Sequence, residues 1–164
     1  MAKKQVKATK LSVSLPFGLG QLEFEPDEAQ QRAAWELYVE LTTRIAVQPL
    51  NPDEGILSEA LTSLHEIFVV TRDILRRAGP LVAKGPSSFG AVAIEVLNQG
   101  IRPFLTKWHP LLLAYEQKRP PEVPVRDYEQ AWENAQVFRQ ELSEFQKQMV
   151  IYVDALAKIA GVAK

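Results

Sequence analysis

From Tyr128 to Ile159 the chain places apolar residues at alternating steps of three and four: Tyr128, Ala131, Ala135, Phe138, Leu142, Phe145, Met149, Tyr152, Leu156 and Ile159. A 3-4 rhythm sustained over more than four heptads is the pattern of a helix with one apolar face. Asp127, with Gln130 three residues on, resembles a capping box and predicts a helix over 127–160. Such a helix would be ~51 Å long at ~1.5 Å per residue. A stripe of that length must be covered by other helices, so the rest of the chain is read for them.

Three further helical regions are found. Pro26, Asp27 and Glu28 suit a helix start, and Ala34, Leu37, Tyr38, Leu41 and Ile45 give one face of a helix over about 26–47, stopped by Pro49 and Pro52. Leu57, Leu61, Leu64, Phe68, Thr71, Leu75 and Ala78 define a second over about 53–78, ended by Gly79-Pro80. Ile94, Leu97, Ile101, Phe104, Trp108, Leu111 and Tyr115 define a third over about 88–118, interrupted by Gly100, Pro103 and Pro110. An interior proline removes a hydrogen bond and costs about 3 kcal/mol, so this helix is expected to bend or to split near Gly100 or His109. RPPEVPVR (119–126) reads as a stiff linker.

Ahead of the helices, LSVSL (11–15) and QLEFE (21–25) alternate apolar and polar residues around PFGLG. This predicts a β-hairpin over 11–25. The expected fold is therefore all-α in the main: an antiparallel four-helix bundle with a short N-terminal β-hairpin and a kinked third helix. Residues 1–10, with Lys3, Lys4, Lys7 and Lys10, are expected to be a basic flexible tail, and 11–164 a single domain.

Composition narrows the chemistry. There is no cysteine, which excludes disulfides, thiolate metal sites and cysteine nucleophiles. With two histidines and no Glu-x-x-His pair, no metal and no cofactor are expected. No apolar run approaches ~18 residues and no signal-peptide core is present, so the expectation is a cytoplasmic protein with no membrane partner. Charge is uneven: residues 21–71 hold ten acidic and two basic groups, residues 72–119 eight basic and three acidic. Adjacent helices can neutralise one another, or the polarity can face a partner.

The segment IRPFLTKWHP (101–110) carries the main candidate chemistry. Arg102, Thr106 and His109 share one face of a regular helix. The Arg102/His109 pair resembles the Arg-x(4–6)-His motif of HEPN ribonucleases, helical bundles that usually act as dimers. The resemblance implies metal-independent RNA cleavage, with Arg102 stabilising phosphorane charge and His109 moving a proton. Pro103 departs from that motif, where a polar residue is common. On helix two, His65 shares the polar side with Ser58, Thr62, Val69 and Arg72 and reads as a solvated or capping residue.

In the absence of a complete catalytic constellation, the first expectation is a non-enzymatic scaffold or accessory subunit. A protein partner would be met through Trp35, Trp132, Arg102 and Lys107. A homo-oligomer is also expected, because the 127–160 stripe exceeds what shorter helices cover. The alternatives are the HEPN-like ribonuclease and a sensor that binds a small ligand or nucleotide where helix three bends. The lysine tail makes nucleic acid a weaker partner class.

Overall fold

The computed structural model describes residues 10–163. It is mostly helical, with one two-stranded antiparallel sheet. β1 (Leu11–Ser14) and β2 (Gln21–Phe24) pair with Leu11 opposite Phe24 and Val13 opposite Leu22. The helices are α1 (Glu28–Thr42), α2 (Leu57–Ala78), α3 (Phe89–Glu95), α4 (Arg102–Glu116), α5 (Val125–Gln130) and α6 (Ala135–Ala160). A 3₁₀ turn, Pro80–Ala83, lies between α2 and α3. A π-helical turn, Val96–Ile101, joins α3 and α4 without a break. Among the described residues there are thus five helical rods, not the four expected. The lysine tail, residues 1–9, lies outside the described residues, while Lys10 faces Glu25 at 3.9 Å.

Each departure from expectation has a local cause. α1 begins at its cap Asp27, whose carboxylate accepts the Gln30 N–H at 2.8 Å. It ends at Thr42 rather than Val47, because the Thr42 and Thr43 hydroxyls donate back to the Tyr38 and Val39 carbonyls. The 43–56 connection is pinned from outside: Arg139 donates to the Asn51 and Glu54 carbonyls, and Gln146 to those of Ile45 and Gln48. The third helical region, expected to bend or split, runs on unbroken through the π turn, which ends two residues before Pro103. Pro103 follows closely on the π turn, where the helical hydrogen-bond pattern is already altered, while Pro110 lies inside α4.

The expected helix over 127–160 is broken. Asp127 lies within α5 rather than capping it, and residues 131–134 turn before α6 starts. At this turn Trp132 swings inward, leaving 6% of its surface exposed. Its ring meets Trp108 edge-on at 6.0 Å and stacks on Tyr115 at 5.6 Å. Burying a large indole offsets the loss of a few helical hydrogen bonds. Trp132, expected at a partner surface, therefore belongs to the core.

The core is one continuous cluster. α1 packs on α6 and α2, α2 packs on α4, and α4 meets α6 through Phe104–Phe145 at 4.8 Å and Trp108–Phe138 at 5.1 Å. The stripe of α6 is buried from Ala135 to Ile159 within a single copy. The surplus that motivated self-association is thus covered internally. The hairpin docks through Val13 and Phe24, both fully buried, and through its loop. Phe17, with φ of 56°, donates its N–H to Gln148 Oε1 at 2.8 Å and lays its ring over Gly100 and 5.6 Å from Phe145. A left-handed phenylalanine is strained, and these contacts hold it there.

Candidate functional site

The face of α2 that carries His65 and the face of α4 that carries His109 meet along a groove. Its first hollow, about 260 Å³, is bounded by His65, Phe68, Arg72, Arg102, Leu105, Thr106, His109 and Pro110. An adjoining hollow of about 200 Å³ shares His65, Leu105 and His109 and adds Leu61 and Thr62. The regular geometry of α4 brings Arg102, Thr106 and His109 to one side, as their i, i+4, i+7 spacing requires. Leu105 and Phe68 form the apolar floor.

Two guanidinium groups converge on Phe68. Arg72 lies 5.4 Å and Arg102 5.0 Å from the centre of its ring, a cation–π arrangement that holds planar cations in place. Arg102 also donates from Nε and one terminal nitrogen to Asn98 Oδ1, both at 3.3 Å. Among the described residues neither arginine is ion-paired with a carboxylate. Several other cations are paired: Arg44 bridges Glu40 and Glu66, Arg77 bridges Glu36 and Asp73, and Lys107 meets Glu141 at 2.6 Å. The groove thus holds positive charge that the fold leaves uncompensated.

The remaining sequence candidates fall elsewhere. Lys107 and Trp108 both donate to Glu141, the indole N–H at 2.9 Å. The Lys107 hydrogen bond, with help from Trp108, holds the Glu141 carboxyl below its ordinary range. Lys107 therefore ties α4 to α6 and stands apart from the groove. Trp35 is 46% exposed, stacks on Tyr38 at 5.6 Å and borders a shallow hollow between α1 and α2 with Val39, Val70 and Ile74. Trp108 is core.

At the far end of the α2–α4 seam lies a carboxyl pair that sequence reasoning passed over. Ile56, which precedes α2, has no capping side chain. Glu129 of α5 takes that role, accepting the Leu57 and Ser58 N–H groups at 2.7 and 3.1 Å while almost wholly buried. Glu116 sits beside it, with Oε1 buried and without a hydrogen-bond partner. Burial first, then the neighbouring Glu129, pushes the Glu116 carboxyl up to about 7, against the opposing influence of Ser58 and Arg119. A proton on Glu116 supplies the donor that this pair lacks. Tyr115 and Tyr128, stacked at 4.2 Å with each hydroxyl donating to the other's carbonyl, keep the two glutamates adjacent.

A third feature is apolar: a hollow of about 420 Å³ between the hairpin and α3, lined by Leu15, Leu19, Leu22, Val92 and Ile94. Among the described residues no group of three or more His, Asp or Glu side chains could hold a metal ion. No helix there is long and apolar enough to cross a membrane.

His65 and Arg72 enter the site from a helix remote in sequence. Their signal was the polar face of α2, legible as a face but not as one wall of a groove. No protein-family profile, curated protein or solved structure matches this chain.

Proposed function

We propose that this chain is a non-enzymatic interaction module, a scaffold or accessory subunit, that receives an anionic segment of a protein partner in the α2–α4 groove. The observation that carries this reading is the pair Arg72 and Arg102, both stacked on Phe68 and both without a carboxylate partner among the described residues. A surface arginine pinned on an aromatic ring has lost much of its side-chain entropy before it binds, which makes it an effective anchor. The exposed Trp35 and Val39 of α1 offer a second apolar contact. The test is co-purification from native cells with wild type and with the double variant Arg72→Glu/Arg102→Glu. The expected result is a protein retained by the wild type and lost by the variant at unchanged circular dichroism. Retention by both sinks the groove as the binding surface. Light scattering of the purified chain separates a second copy from a different partner.

A second reading, metal-independent RNA cleavage of the HEPN-like kind, is favoured by one observation: His65 and His109 line the same groove as Arg102. One imidazole would take the proton of the attacking 2′-hydroxyl and the other would deliver one to the departing 5′-oxygen, while Arg102 faces the phosphorane. Digestion of labelled RNA in chelator by wild type and His109→Ala decides it. Cleavage that is lost in a folded His109→Ala protein would replace the scaffold reading.

A further inference from the structure

The arginines of the α2–α4 groove are confined to one end. Arg72 stands across from Arg102 at one end, and His65 and His109 share the middle. Glu129, the buried cap of α2, and Glu116 beside it lie outside both hollows. A ligand for the groove must match that pattern.

The donors at the basic end are many and tightly grouped. Guanidinium has five N–H donors and no acceptor. Arg102 spends two on Asn98, leaving three, and no side-chain acceptor takes those of Arg72 among the described residues. The Thr106 hydroxyl and the imidazoles add more around a hollow of about 260 Å³. A carboxylate has two oxygens with which to meet this set, whereas a phosphate monoester has three and close to two negative charges. A polyanion fits poorly. The arginines line only this one hollow: the adjoining one is bounded by Leu61, Thr62, His65, Leu105 and His109, with no arginine or lysine to meet the next phosphates of a nucleic-acid strand.

We propose that the basic end of this groove is a binding site for a single phosphate monoester, clamped between Arg72 and Arg102 with Thr106 and the imidazoles completing its hydrogen bonds. This rests on the reading of the groove as an anion-receiving surface, and it specifies the anion: a phosphorylated group rather than a glutamate or aspartate side chain.

The test is amide and side-chain NMR of the full chain, titrated separately with inorganic phosphate, O-phosphoserine, a glutamate-rich peptide and a single-stranded RNA oligonucleotide. The expected result is saturable shifts at Arg72, Arg102, Thr106 and His109 with both phosphate and O-phosphoserine. Arg102→Gln should weaken them at least about tenfold, the value of one charge-assisted hydrogen-bonded contact. Arg76→Gln, one turn beyond Arg72 on α2, should leave them unchanged, and the variants' circular dichroism reports whether each remains folded. Shifts by O-phosphoserine but not by free phosphate place recognition on the ester and support the proposal. Free phosphate acting alone reduces the site to an ion site and overturns it. If the glutamate-rich peptide shifts these residues as strongly as O-phosphoserine, the phosphate assignment fails while the anion-receiving groove stands. If no probe shifts them, both fail. RNA binding that outcompetes the monoester overturns the single-phosphate assignment in favour of the nuclease reading.

Discussion

At the residue scale, Glu116 is the group whose environment departs furthest from what its sequence neighbours suggest. EQKR at the end of α4 reads as a solvated terminus. Yet Glu116 is pressed against Glu129 at the start of α2, with one oxygen buried and unpartnered. Unfolded, this carboxyl releases its proton in the ordinary range; folded, it keeps it up to about 7. Between those values the folded state binds the extra proton. The stabilisation this group contributes is therefore complete below the ordinary carboxyl range and is lost as pH rises through about 7. The melting temperature should accordingly fall between about pH 5 and about pH 8, the window set by the raised carboxyl. Glu116→Gln, which mimics the protonated form, should flatten that slope in calorimetry. An equally steep profile in the variant would show that another group drives it.

At the element scale, the π turn between α3 and α4 is where three demands meet. Pro103 cannot donate into the preceding turn, the helix must continue, and the hairpin must dock. Gly100 settles the third. A Cβ at that position would fall within the van der Waals shell of the Phe17 ring. The glycine that reads in sequence as a helix weak point is thus the seat of the hairpin tip. Gly100→Ala should displace Phe17 and its hydrogen bond to Gln148, costing about 1–3 kcal/mol as overpacking. Limited proteolysis should then cut within residues 15–20 while α6 stays protected. A variant with unchanged melting and unchanged cleavage would mean that the hairpin contributes nothing through this contact.

At the scale of the whole molecule, the uneven charge of the sequence resolves into partial neutralisation. The acidic α1 takes up Arg44 and Arg77, with help from Glu66 and Asp73 of α2. Arg72 of α2 and Arg102 of α4, which face the groove between those helices, keep their field. Net charge of −1 conceals this local polarity. Association through the groove should therefore be steered by charge and should slow as ionic strength rises, since the screening length falls below ~10 Å above ~0.1 M salt. Stopped-flow measurement of partner binding checks this. A rate indifferent to salt would point to the apolar Trp35 surface instead.

Periodicity was enough to read a helical chain with an N-terminal hairpin, the α6 stripe from Ala135 to Ile159, and the common face of Arg102, Thr106 and His109. These follow from backbone geometry, because a step of 3.6 residues assigns side chains to faces before any packing occurs. The break at residues 131–134 could not be read so, because the 3-4 rhythm runs through it unbroken and Trp132, beside the stripe, turns inward onto Trp108 and Tyr115, which only the tertiary structure supplies. Nor could the cap of α2, since Glu129 is supplied from 72 residues away. The groove itself belongs to the same class. His65 and Arg72 lie on one helix and Arg102 and His109 on another, and only the packing of α2 against α4 turns two ordinary polar faces into one cationic site.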